Sequence, residues 1–119
     1  MVIPSGFNTY EESLRAGAEI YHNLKRILQQ RGKTTIVGDE GGFAPSLKNN
    51  RQALEWILNA IEEAGYEPGK HCHIAIDVAA TELQTSSAPA NTDYHYDLTS
   101  VDTILNSEKL IEVYDNWVG

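Results

Sequence analysis

Two stretches of the chain carry apolar residues at helical spacing, and each runs from a capping signal to a glycine. In the first, Thr9-Tyr10-Glu11-Glu12 has the Thr-x-x-Glu spacing of a capping box, in which hydroxyl and carboxylate each satisfy a backbone donor left free at a helix start. Leu14, Ala18, Tyr21, Leu24 and Leu28 follow as the expected buried stripe, and Gly32 stands where a left-handed C-terminal cap belongs. This predicts a helix over 9–31. In the second, Asn49-x-x-Gln52 can cap a helix over 50–64 with the stripe Leu54, Ile57, Leu58, Ile61 and Ala64, closed by Gly65. Two such stripes need an apolar surface to cover. Met1 to Pro4 reads as a buried strand or merely an end, and His71 to Ala79 is short, β-branched and apolar as a buried parallel strand should be. A third helix is expected from Ser107, with Leu110, Ile111, Tyr114 and Val118 on one face. The order strand, helix, helix, strand, helix reads as α/β, with helices on a mostly parallel sheet.

The connections are less regular. Residues 33–48 read as loop because of Gly41, Gly42 and Pro45, residues 84–92 have no apolar period, and "YHYDL" suggests a small strand or hairpin arm. At 119 residues the chain is one domain or part of one, and 41% hydrophobic with 22% charged residues is a globular composition. Nine Lys and Arg against 17 Asp and Glu leave a net charge of −8, which repels phosphate backbones and anionic lipid, so neither nucleic acid nor membrane is an expected partner. Cys72 is the only cysteine, so no intramolecular disulfide can form and a reducing cytoplasm is the expected setting. "MVIPSGFNTY" lacks the basic and apolar regions of a signal peptide, and no stretch approaches the roughly 20 apolar residues of a membrane span.

Chemistry concentrates in "IVGDEGGFAP", residues 36–45. Asp39 and Glu40 have two readings. One is a solvated acidic turn in which glycines supply positive φ. The other is a site where glycines let the backbone approach a substrate and an adjacent like charge favours the protonated carboxyl that general-acid work needs. Asp77 also divides. A carboxylate ending an apolar strand, "IAID", is costly to bury unless paired or metal-bound, yet it serves equally as a helix cap or ion-pair partner. His71, Cys72 and His73 offer zinc-binding types, but a strand sends the two histidines one way and the cysteine the other, and a fourth ligand at zinc spacing is absent. His22 reads as a packing or surface residue, Glu12 has its capping role, and His95 falls in the expected hairpin.

"VGDEGGFAP" closely resembles the signature of enolase, the glycolytic enzyme that interconverts 2-phosphoglycerate and phosphoenolpyruvate. "MVIPSGF", "SLRAGAEIYHNLKRIL", "NNRQALEWILNAIEEAGYEPGK" and "IAIDVAATEL" resemble successive strands and helices of that family's barrel domain, so the resemblance runs without a gap from Met1 to Leu83. "YHYDL" and "LNSEKLIEVYDNW" resemble the following hairpin and helix more loosely. The resemblance implies that Glu40 is the family's proton donor and that Asp77, 37 residues on, is one of its magnesium ligands, with Mg²⁺ as cofactor. It implies a cytoplasmic carbon-oxygen lyase and a homo-oligomeric parent family. The expected fold is a partial TIM-type barrel over 1–119, not a closed one, because such a barrel needs on the order of 250 residues.

Against the family pattern, the Gln-Glu-Phe whose glutamate partners the proton donor is absent. So are the lysine base, two further carboxylate ligands, and the arginine, serine and histidine substrate contacts. "TELQTSSAPANTDYHYDL" also departs from the family after its Ser-Glu. The expectation is therefore an isolated chain without turnover or tight Mg²⁺ binding, prone to self-association through unpaired sheet edges. The alternative is a non-catalytic interaction module, or a truncated gene product derived from enolase.

Overall fold

The computed structural model describes residues 1–85, 95–98 and 104–118. Its elements are β1 (Val2–Ile3), α1 (Tyr10–Gln30), α2 (Asn50–Glu63), β2 (His73–Ile74), α3 (Ala80–Leu83), β3 (His95–Asp97), β4 (Ile104–Asn106) and α4 (Ser107–Val118). They form two compact units, Met1–Ile76 and Asp77–Gly119. Among the described residues helices mix with two separate two-stranded sheets and no sheet closes, as in a partial barrel.

In the first unit both helices begin and end as their sequences direct. The Thr9 hydroxyl accepts from the Glu12 amide while the Glu12 carboxylate accepts from the Thr9 amide, completing the capping box. Asn49 accepts from the Gln52 amide at 2.8 Å. At the far end of α1, Gly32 lies at φ 67°, its N–H bonds the Gln29 carbonyl, and the Lys33 N–H bonds that of Leu28. Gly65, at φ 84°, and Tyr66 repeat this pattern on Glu62 and Ile61. Each glycine thus allows the left-handed turn of a Schellman motif to satisfy carbonyls that the helix leaves open.

The buried faces match those expected in part: Leu28 and Ile61 are buried, and Leu24, Ile57 and Ala64 pack against the core. On α1 the core residues are Ala16, Ile20, Ile27 and Leu28, whereas Leu14 is 59% exposed and Ala18 and Tyr21 lie outside the core cluster. On α2, Trp56, Ala60 and Ile61 are buried, with Leu58 at the surface. Both helices turn their small Ala16 and Ala60 inward, where closely packed helices leave least room. Ile20, Ile27, Ala60, Ile61 and Cys72 form the cluster, flanked by Val2, Phe7, Leu24, Ile57, Ala64 and Tyr66. Burial raises the Cys72 thiol above its ordinary pKa.

The run 71–79 also departs from expectation. Only His73 and Ile74 form a strand, and it pairs antiparallel with β1 in the register Val2↔Ile74 and Ile3↔His73. The Ala75 N–H to Met1 carbonyl bond, 2.9 Å, extends this pairing by one step. Nor is the run covered throughout, since Ile76 is 48% exposed.

One polar contact ties the helix pair to the turn after α2. The Tyr66 hydroxyl donates to the Glu19 carboxylate at 2.5 Å. That bond, followed by desolvation and the carboxylate's charge, holds the Tyr66 phenol above its usual value. A raised phenol favours the fold while the ring stays neutral, so the contribution is whole below the unfolded value of about 10 and is lost as pH rises through the higher folded value. Urea unfolding across a pH series should therefore show a stability gap between the protein and Tyr66→Phe that is constant up to pH about 9 and narrows above about 10.

In the second unit, β3 and β4 pair antiparallel with His95↔Asn106, Tyr96↔Leu105 and Asp97↔Ile104. "YHYDL" thus supplies a hairpin arm as expected, whereas its partner "ILN" and the short α3 carry no signal in the sequence pattern. Helix α4 starts at Ser107 as expected but buries Leu110 with Val113, Tyr114 and Trp117, leaving Ile111 66% and Val118 88% exposed. Leu98 and Leu105 complete that core. Residues 86–92 of the expected irregular segment lie outside the described residues.

Candidate functional site

Within the expected loop 33–48 lies a hydrogen-bonded hairpin. The Ala44 N–H bonds the Ile36 carbonyl, Val37 and Phe43 form an antiparallel bridge, and the Gly38 N–H bonds the Gly42 carbonyl at 2.7 Å. The Gly41 N–H then closes the tip on the Gly38 carbonyl at 3.0 Å. This is the three-residue hairpin loop in which a turn is followed by one left-handed residue, and Gly41, at φ 85°, is that residue. Asp39 and Glu40 occupy the two central turn positions. Both are exposed, and neither carboxylate has a hydrogen-bond or ion-pair partner among the described residues.

The paired glycines have separate reasons. Gly41 is demanded by its backbone conformation. Gly42 has no positive φ and nothing within 4 Å of where a Cβ would stand, so neither conformation nor packing within the described residues asks for glycine there. Gly41→Ala should cost the hairpin about 1 kcal/mol. Hydrogen exchange at the Gly38 amide checks this: its protection should fall about fivefold, while amides in α1 and α2 keep theirs.

The hairpin is held from one side. Phe43 stacks on Tyr21 of α1 with ring centroids 4.5 Å apart and 26° between planes, and the Lys33 ammonium donates to the Ser46 carbonyl at 2.7 Å beyond the hairpin's base. Sequence periodicity assigns Tyr21 to the core; its actual neighbour is an aromatic three residues beyond Glu40.

Asp77 belongs to the second unit. It is exposed and lies past the end of β2 rather than within a strand. Its Oδ1 accepts from the Ala79 amide at 3.1 Å, bracing the turn that leads into α3. Ala79 itself sits at φ 46°, left-handed for a residue with a Cβ, and carries no side-chain cap. Asp77 therefore braces the helix entry without being its cap, and its second oxygen has no partner among the described residues.

The zinc-type triplet has structural occupations. His71 Nδ1 accepts from the Glu67 amide at 2.9 Å, Cys72 is buried in the core, and His73 Nδ1 lies 2.9 Å from the Ser5 hydroxyl. No group of three or more His, Cys, Asp and Glu side chains converges as a metal site among the described residues. Asp77 offers the hard oxygen that magnesium prefers, but an octahedral ion needs about six ligands, so these residues do not by themselves make a magnesium site. No helix among them is long and apolar enough to cross a membrane.

The chain matches a known family along its whole length. The profile described as "Enolase, C-terminal TIM barrel domain" covers residues 1–119. The chain belongs to the enolase family. The enolase of a Nitratiruptor species is 45% identical over 119 residues, and that of Helicobacter hepaticus is 51% identical over the same length. In both comparisons all of this chain aligns with 27% of the relative, so the chain spans about a quarter of the length of the curated enolases it matches.

Proposed function

We propose that this chain contributes a proton donor and one magnesium ligand to an enolase-type lyase site whose other residues lie outside these 119 positions. The substrate would be 2-phosphoglycerate, the product phosphoenolpyruvate, and the magnesium ligand Asp77. In that reaction a base removes the C2 proton, the C3–O bond breaks, and the departing hydroxyl leaves as water after taking a proton. Hydroxide is a poor leaving group, so a carboxylic acid at the departing oxygen lowers the barrier. Glu40 would be that acid, with Asp39 as its electrostatic neighbour. Bound Mg²⁺ would supply charge stabilisation to the substrate carboxylate, and Asp77 would contribute one oxygen toward holding it.

What carries the reading is the tip of the hairpin. An enolase-family motif has Glu40 there without a structural partner among the described residues, beside a Gly42 that this fold does not itself require. A purely structural turn accounts for Gly41 and leaves Gly42 unexplained. The test is a coupled phosphoenolpyruvate assay. The 119-residue chain alone should give no magnesium-dependent turnover, and mixing it with a polypeptide carrying the rest of an enolase should produce turnover. Turnover by the chain alone would contradict the incomplete site. No turnover from the mixture, with a stable monomeric chain, would favour the non-catalytic interaction module.

A further inference from the structure

We infer that Tyr21 is a positioning residue for the acid-bearing hairpin, acting through its stack on Phe43; the inference rests on the reading of Glu40 above. No residue from Ile36 to Ala44 belongs to either core cluster, and neither does Tyr21. The hairpin is therefore not carried by the core. Its own bonds, Gly38 to Gly42, Gly41 to Gly38 and Ala44 to Ile36, all close within the loop, and an isolated hairpin is marginal in water, so both its persistence and its place depend on an outside contact.

Placement comes from outside the loop. Phe43 lies in the returning arm, bridged to Val37, and its ring rests nearly parallel on Tyr21 at 4.5 Å. Successive residues of an extended arm alternate sides, so with Phe43 turned toward α1, Gly42 and the open space around it face the other way. The stack thus sets which side of the tip is presented. The Lys33–Ser46 bond restrains the approach to the hairpin but is made by a flexible, exposed side chain. Tyr21 stands midway along the longest helix, which is itself locked at both ends by the capping box and the Schellman turn. A ring on such a helix is a rigid reference for a catalytic group, and misplacement by about 1 Å is enough to cost on the order of 100-fold in rate.

The test has two arms, using Tyr21→Ala and the conservative Tyr21→Phe. In the chain alone, hydrogen exchange should show the Gly38 and Ala44 amides losing protection in Tyr21→Ala but not in Tyr21→Phe, while the Ala64 and Tyr66 amides at the end of α2 stay protected in both. In the mixture with the rest of an enolase, Tyr21→Ala should lower kcat on the order of 10- to 100-fold with KM within about twofold, and Tyr21→Phe should restore kcat. Unchanged exchange and unchanged kcat in Tyr21→Ala would overturn the inference, as would a loss in Tyr21→Phe equal to that in Tyr21→Ala. The two claims fail separately. If Glu40→Gln is as active as the unaltered chain, the role of Glu40 falls and the exchange arm still decides whether Tyr21 places the hairpin. If Glu40→Gln is impaired and Tyr21→Ala is not, only the role of Tyr21 falls.

Discussion

Gly6→Ala is expected to destabilise the first unit by about 3 kcal/mol, at the upper end of overpacking effects, and to lower its melting temperature by roughly 15 °C. A Cβ at position 6 would stand 2.1 Å from the Lys70 carbonyl oxygen, 2.7 Å from His71 Cα and 3.0 Å from the Lys70 carbonyl carbon. All three are backbone atoms, so no side chain can swing aside. The segments must separate, and the Gly6 N–H to His71 carbonyl bond at 3.0 Å goes with them. Phe7 would shift as well, disturbing its edge contact with Tyr66 at 5.4 Å and its stack on His71 at 5.8 Å. Gly42→Ala is the control, because a Cβ there meets nothing within 4 Å. Thermal unfolding followed by circular dichroism decides it: a melting point for Gly6→Ala within a few degrees of the control would mean that the two segments are not held so closely.

Nothing in the sequence singles out Gly6. It reads as the end of a Pro-Ser-Gly stop, and the backbone that excludes a side chain there arrives from Lys70 and His71, far along the chain. Other misses share this cause. Periodicity identifies α1 and α2 and their caps, since capping boxes and glycine-ended helices are local chemistry. It chooses the buried face only in part: Leu24, Leu28, Ile57 and Ile61 fall where the stripes put them, but Leu14, Ala18 and Tyr21 make as good a stripe as Ala16, Ile20 and Ile27, and only tertiary packing selects the second. On α4, Val113 and Trp117 displace Ile111 and Val118 for the same reason, with β3 and β4 as the selecting neighbours. The run 71–79 reads as a short buried parallel strand from its apolar, β-branched content, whereas partner direction depends on β1, residues Val2 and Ile3.

The candidate site is legible in a different way. Glu40 and Asp77 stand out through a family motif and its spacing, and the residues alone leave each with a structural alternative. Gly41 justifies the bland alternative at its own position, through φ 85°, and the Asx contact of Asp77 with Ala79 does so at another. An exposed Glu40 fits a solvated turn as well, so Gly42 is what the bland alternative does not use. The hairpin itself is hidden, because a three-residue loop flanked by single bridge residues is too short to show a strand period. The role of Tyr21 is hidden by a good helical stripe that accounts for it as core.

The second large effect concerns Glu40. In the mixture of this chain with the rest of an enolase, Glu40→Gln should lower turnover of 2-phosphoglycerate by about 10²- to 10⁴-fold, the usual contribution of a positioned general acid. Glutamine keeps the size and polarity of the side chain but has no carboxyl proton to give. Because Glu40 is exposed and makes no partner contact among the described residues, folding stability should not change, within about 0.5 kcal/mol. A loss of turnover would therefore report chemistry, not unfolding. The most direct measurement compares leaving groups. Chloride departs without protonation, so a substrate analogue with chlorine in place of the C3 hydroxyl does not need the acid. Glu40→Gln should lose about 10²-fold or more on 2-phosphoglycerate and less than about tenfold on the chloro analogue. Equal losses on both substrates, or no loss on either, would contradict Glu40 as the donor to the departing oxygen.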